Sequence, residues 1–230
     1  MPNYCNFDIH MSGPQEKLKK LCQWFRADYR YDGDEAVCYL KNGEETIPCE
    51  HHIGYRVFSF DCFDDDDITD LSGDSVWYGC GECAWSCAVC MFAGKFSYCT
   101  EEENRKTFSI TLPEACRELG IEVELFSNEP GMAFAEHYRI DSEGKILCDE
   151  CVDWEEIELS DEEDAIADYE ELCKVLKDKG VSEHGIASNV TKEDFDAIRN
   201  GAERRYLYCC SLYDDNIAWD DEMAWPWKIE

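Results

Sequence analysis

Basic residues are scarce in this chain. Only 21 lysines and arginines stand against 53 aspartates and glutamates in 230 residues, a formal net charge of -32. Direct binding to nucleic acid or to an anionic membrane is therefore disfavoured, because both are polyanions. Long apolar runs are also missing, and no stretch approaches the roughly 18–20 residues that cross a bilayer. The opening MPNYCNFDIHMSG has neither a basic n-region nor an apolar h-region, so no signal peptide is expected and the sequence reads as cytoplasmic. Neither a Walker A loop nor a dinucleotide-binding fingerprint occurs. None of the five histidines lies in a nucleophile motif, and carboxylates are too common for any pair to be informative. The expectation is a protein with no catalytic residue, not an enzyme.

What is present speaks against disorder. Hydrophobic residues make up 44% and aromatics 13%, enough to bury a core. Self-repulsion at this net charge costs stability, which suggests that the charge has a use; a basic protein surface is its natural complement. Solubility is the plainer alternative. Sixteen cysteines in a chain of this length, without a secretion signal, read as reduced thiols, and no intramolecular disulfide is expected.

Periodicity predicts an α+β fold. Strands are expected at 3–11, 57–63, 121–127 and 132–140, the last two forming a hairpin through Pro130-Gly131, and helices at 14–27 and 113–119. Leu18, Leu21, Cys22 and Phe25 give the first helix one apolar face. Residues 29–56 are turn-rich and charged and read as an insertion, and 75–92 as a strand followed by a helix. Toward the C-terminus, Ser160-x-x-Glu163 is a capping box ahead of a helix carrying Ala165, Ile166, Tyr169, Leu172, Cys173 and Leu176, ended by Gly180. Thr191-x-x-Asp194 opens another helix that stops near Gly201, and 205–213 reads as a strand. The organisation expected is a domain at 1–145 and an acidic α/β extension at 146–230.

Two motifs at fixed places carry a resemblance. The opening Met1-Pro2-Asn3-Tyr4-Cys5-Asn6 followed by Gly13-Pro14, and the turn Glu129-Pro130-Gly131-Met132-Ala133-Phe134-Ala135, resemble a family of phage and plasmid proteins named for YubB. Cys83-Ala84-Trp85-Ser86-Cys87-Ala88 occupies the place of that family's Trp-Gly-Thr-Lys-Trp-Asp segment, by position more than by side chain. The likeness covers about residues 1–145. It implies a ferredoxin-like sandwich and a mobile-element origin, and no biochemical activity.

Cys80-x-x-Cys83-x-x-x-Cys87-x-x-Cys90 is the densest chemical constellation, and four thiolates so spaced suit zinc or an iron–sulfur cluster. On a helix the same spacing makes an apolar stripe, so core packing competes with metal. Cys148-x-x-Cys151 is a second knuckle that can pair in space with one of the first. Cys49, His51 and His52 are further donors, the two histidines expected on an exposed loop. The expected cofactor is none, with zinc as the alternative.

Charge patterning is the remaining signal. Thirteen of the 23 residues from Asp149 to Glu171 are acidic and none is basic, and Asp61 to Asp74 holds seven aspartates. Trp154, Tyr169 and Trp219 are interleaved with these acids, an arrangement that suits an interface with aromatic anchors and carboxylate steering. The partner-binding residues expected are Asp153, Glu155, Glu156, Glu158, Asp161, Glu162, Glu163 and Asp164, then Asp64, Asp65, Asp66 and Asp67. Together these suggest an inhibitor from a mobile element that imitates nucleic acid and occupies the basic channel of a host defence nuclease, of anti-CRISPR or anti-restriction type. The alternative is a zinc-binding interaction module without catalytic activity.

Overall fold

The computed structural model describes residues 4–32, 35–63, 75–92, 110–129, 131–159, 166–201, 205–210, 212 and 217–219. The fold is mixed α+β. The chain divides into two compact units, Met1–Met132 with Glu136–Cys151, and Ala133–Ala135 with Val152–Glu230. The boundary expected at residue 145 lies just ahead of a strand that begins at Ile146. No helix of the described residues is long and apolar enough to cross a membrane.

The first unit is organised by strand β1 (Tyr4–Gly13), whose side chains alternate strictly between two environments. Cys5, Phe7, Ile9 and Met11 point into a core, while Asn6, Asp8 and His10 point to the other face. Helix α1 (Gln15–Arg26) follows and lays Leu18, Leu21, Cys22 and Phe25 on the core side. Strands β5 (Val57–Phe63) and β6 (Ser75–Ala84) come next, with a short helix α2 (Cys87–Met91) directly after β6. Helix α3 (Leu112–Leu119) is opened by a reciprocal capping box between Thr111 and Glu114 and closed by Gly120 at φ 66°. It leads into β7 (Glu122–Glu129), β8 (Phe134–Ile140) and β9 (Ile146–Asp153).

These strands form one six-stranded sheet in the order β5-β6-β1-β7-β8-β9. β1 pairs antiparallel with β6 and with β7, and β6 antiparallel with β5. On the inner face the rings of Phe7, Phe25 and Phe60 stack together. Glycine is required opposite them. A Cβ at Gly79 would lie 2.7 Å from the Phe60 ring, and one at Gly81 would lie 2.6 Å from the Phe7 ring and 2.3 Å from the Ser59 carbonyl.

Residues 29–56, expected to be turn-rich, instead contain most of a small antiparallel sheet of β2 (Asp28–Asp32), β3 (Glu35–Asn42) and β4 (Glu45–Pro48). β4 is exposed along its whole length, so its sequence carries no apolar alternation to reveal it. His51 and His52 also differ from expectation. His52 is buried, with its imidazole pKa lowered chiefly by that burial, and the His51 ring meets Trp24 edge-on.

The second unit builds its core from strands β10 (Glu155–Leu159), β11 (Arg205–Cys209) and β12 (Ile217–Trp219) with helices α4 (Tyr169–Asp178), α5 (Glu183–Asn189) and α6 (Lys192–Gly201). Ile157, Leu159, Leu172, Leu176, Phe195 and Leu207 are buried there. Helix α4 begins later than the capping box at Ser160 suggests. Asp168 is its N-cap, accepting from the Glu171 amide, and Ile166 lies outside the helix. The Glu171 carboxylate accepts from the Ala167 amide at 2.9 Å, just ahead of the cap. Ser160 and Glu163 lie outside the described residues.

Candidate functional site

The alternation along β1 places Cys5 on the inner face, and antiparallel register sets it opposite Cys83 of β6. Two residues past the end of β6, Ser86 caps α2 by accepting from the Val89 amide, which puts Cys87 in the helix's first turn. The three sulfurs of Cys5, Cys83 and Cys87 lie within 4.8 Å of one another, and all three residues are buried. Cys83 Sγ and Cys87 Sγ are 3.8 Å apart. A tetrahedral zinc with Zn–S bonds of 2.3 Å requires sulfur–sulfur edges of about 3.8 Å, so this spacing suits shared metal ligation. Cys90 stands beside the group, donating its thiol to the Ala84 carbonyl at 2.8 Å.

A buried carboxylate completes the site. Glu136 on β8 accepts from the Cys87 amide at 2.8 Å, the Ala88 amide at 3.3 Å, the Ser127 hydroxyl at 2.6 Å and the Tyr138 hydroxyl at 3.1 Å. It therefore joins β7 and β8 to the start of α2. Burial pushes its pKa up, and these donors pull against that shift. The thiols share one cluster of protons. Hydrogen bonds from Cys83 and Cys87 hold Cys5 well below the usual thiol range. The hydrogen bond to Cys5 is the main cause that pushes Cys83 up, and burial is the main cause for Cys87. Three thiols so placed offer the soft donors that a borderline cation such as zinc takes.

Of the four clustered cysteines, whose spacing offers either an apolar stripe or a metal group, the structure brings Cys83 and Cys87 together and leaves Cys90 adjacent. Among the described residues Cys80 joins no ligand group. Three residues from Cys83 along a strand, it emerges on the opposite face, beside Asp8 and Asp61. The helical stripe therefore does not exist over Cys80 and Cys83, which are both in β6. Cys5 was missed by spacing arguments because its partner is 78 positions away; its phase with Phe7, Ile9 and Met11 was the available signal.

Cys148 lies on the outer face in a second group with His137 and Glu150 instead of meeting the first cysteines, and Cys151 is exposed and belongs to neither group. Among the acidic candidates, Asp153, Glu155, Glu156 and Glu158 are exposed on and beside the edge strand β10. Lys179 reaches the Glu155 carboxylate. Asp161, Glu162, Glu163, Asp164 and Asp64, Asp65, Asp66, Asp67 lie outside the described residues. Trp154 is not an exposed anchor: it is buried with its ring edge-on to Tyr208. The Tyr169 hydroxyl is likewise engaged, donating to the Val190 carbonyl at 2.7 Å. No family model matches the chain, and neither a curated protein nor a solved structure matches it.

Proposed function

We propose that this is an acidic binding protein of a mobile element, acting in the host cytoplasm by imitating nucleic acid in the basic channel of a defence nuclease, and that it has no catalytic role. The observation that carries this reading is the edge strand of the second unit. β10 is held from beneath by Ile157 and Leu159, while Asp153, Glu155, Glu156 and Glu158 face solvent. A strand advances about 3.3 Å per residue, and one strand of duplex DNA carries a phosphate per about 3.4 Å of axis. Glu156 and Glu158, alternating with the buried Ile157 and Leu159, therefore present two carboxylates about 6.6 Å apart on one face of the strand, near every second phosphate of a track, with exposed Asp153 and Glu155 flanking them. A net charge of -32 extends the same field and steers a basic partner.

A ferredoxin-like first unit belongs to the same proposal, with the second unit as its acidic extension. The strand order β5-β6-β1-β7, with α1 between β1 and β5 and α3 ahead of β7, supports it. So does the Glu129 carboxylate, which accepts from the Met132 amide across the segment where the YubB-type motif has its turn.

The test is the association rate with a purified basic nuclease, a CRISPR effector or restriction enzyme, against ionic strength and competing duplex DNA. Reversing Asp153, Glu155, Glu156 and Glu158 to lysine should slow association at low salt and flatten its salt dependence. Equal rates for parent and reversed protein, or binding indifferent to DNA, would end the mimicry reading. One observation favours a second reading, a zinc-dependent interaction module: the convergence of Cys5, Cys83 and Cys87. There the ion would be structural, tying β1 and β6 to the start of α2.

A further inference from the structure

The outer face of the first unit carries a second convergence of donors, on strands that sequence spacing does not connect. His137 on β8 stacks its ring flat on Phe126 of β7, centroids 4.0 Å apart and planes 11° from parallel. That contact fixes the plane of the imidazole. Its Nε2 lies 2.7 Å from Glu124 Oε1, a separation that fits Nε2–H donating to the carboxylate. Arg139 Nε stands 3.9 Å from the same oxygen and helps hold it. With the proton on Nε2, the Nδ1 lone pair points away toward β9. There Cys148 Sγ is 3.5 Å from Nδ1, and Glu150 Oε2 is 3.8 Å from it.

The N–S distance is that of two ligands around one ion, and the N–O distance lies within about 0.4 Å of one. With Zn–N about 2.05 Å, Zn–S about 2.3 Å and Zn–O about 2.1 Å, tetrahedral angles give N–S edges of about 3.5 Å and N–O edges of about 3.4 Å. A carboxylate on the far nitrogen of a ligating histidine is the usual way its tautomer and orientation are set. We propose that His137 Nδ1, Cys148 Sγ and Glu150 form a three-ligand zinc site, oriented by Glu124, with its fourth position open to solvent or to a partner's side chain. Mixed nitrogen, sulfur and oxygen donors select a borderline cation such as zinc over magnesium or calcium. The site shares no residue with the inner thiols and does not depend on the acidic strand of the second unit.

The same line of groups, Cys148–His137–Glu124, has the order of a thiol nucleophile, base and orienting acid. Its electrostatics oppose that use. Burial first, and then the neighbouring Glu150, push the Cys148 thiol up, whereas an activated nucleophile needs it lowered. A divalent cation reverses the sense of both groups, since carboxylate and thiolate then share one counter-charge.

The test uses the full-length chain, reduced and stripped with a chelator, then titrated with zinc against a chromophoric competitor and with cobalt(II) for its thiolate absorption. The parent should bind an equivalent that Cys148→Ser and His137→Gln each lose while near-UV circular dichroism is unchanged. Glu124→Gln should keep that equivalent but weaken it by about 10- to 100-fold, as loss of an orienting partner does. Cys83→Ser should leave it in place. A parent that binds no zinc at micromolar concentration overturns the proposal. So does a stoichiometry that survives both Cys148→Ser and His137→Gln. If Cys148→Ser fails to fold, His137→Gln and the parent's cobalt spectrum decide the matter alone.

Discussion

The two faces of the first unit's sheet are built from the same strands and hold the same kinds of side chain, yet they treat them in opposite ways. On the inner face Cys5, Cys83, Cys87 and Glu136 are wholly enclosed, and every oxygen of Glu136 is matched by a donor. On the outer face Asp8, His10, Glu124, His137 and Cys148 are partly exposed, with His137 paired to Glu124 and close to Cys148. A polar group shut away from water must be satisfied in place, and removing it strands its partners. One at the surface trades its partner for water at little cost. The inner groups should therefore govern whether the sheet holds α2, and the outer ones what the protein binds and how it responds to pH.

Glu136→Ala is the strongest way to break that comparison. It leaves two helix amides and two hydroxyls facing a cavity, and should cost about 3–5 kcal/mol in urea or thermal unfolding. A cost below about 1 kcal/mol would mean that water reaches the site and that the inner face is not dry.

Next in size is the contrast between thiols. If zinc holds the inner cluster, a strong chelator should destabilise the parent and Cys148→Ser alike, but not Cys83→Ser, which has already lost the ion. The substitution itself should cost about 1–3 kcal/mol, or roughly 2–4 °C in Tm per kcal/mol for a chain of this size. Should Cys83→Val prove as stable as the parent, and the parent itself indifferent to chelator, the inner cysteines are packing alone.

How much of this was legible beforehand depended on whether the relevant contact is local. β1, α1, β7 and α3 are written in short-range periodicity, and the chain obeys it. Strand parity could have separated Cys80 from Cys83, but only after 75–84 was read as strand throughout and not as the head of a helical stripe. The pairing of Cys5 with Cys83, and of His137 with Cys148, depends on which strands are neighbours, and no local spacing encodes that. The exposed strands β4 and β9 lack apolar alternation for the same reason they can carry charge: neither side of them is fully buried. Aromatics among acids misled in the other direction, because Trp154 turns inward between exposed Asp153 and Glu155.

The smallest effect gives the sharpest test of the outer face, because two neighbours on β1 should respond to pH with opposite sign. Burial raises the Asp8 carboxyl to about 6, and burial lowers His10 to about 4 despite the nearby Glu124, which pulls it up. For Asp8 the native state holds the proton more tightly than the unfolded state does. Its contribution to stability is therefore complete below the unfolded value near 3.9 and lost as pH rises through 6. For His10 the unfolded state holds the proton more tightly, so stability is complete above about 6.5 and lost as pH falls through 4. Both groups are partly exposed, and after that discount each is worth about 1 kcal/mol. Asp8→Asn should therefore match the parent near pH 4 and exceed it above pH 6, whereas His10→Gln should match it above pH 6.5 and exceed it near pH 4. Measured as differences from the parent in urea midpoints between pH 4 and 7, the two curves should slope in opposite directions. Two flat curves would show that water screens the outer face completely, and the contrast between the faces would then be one of packing alone.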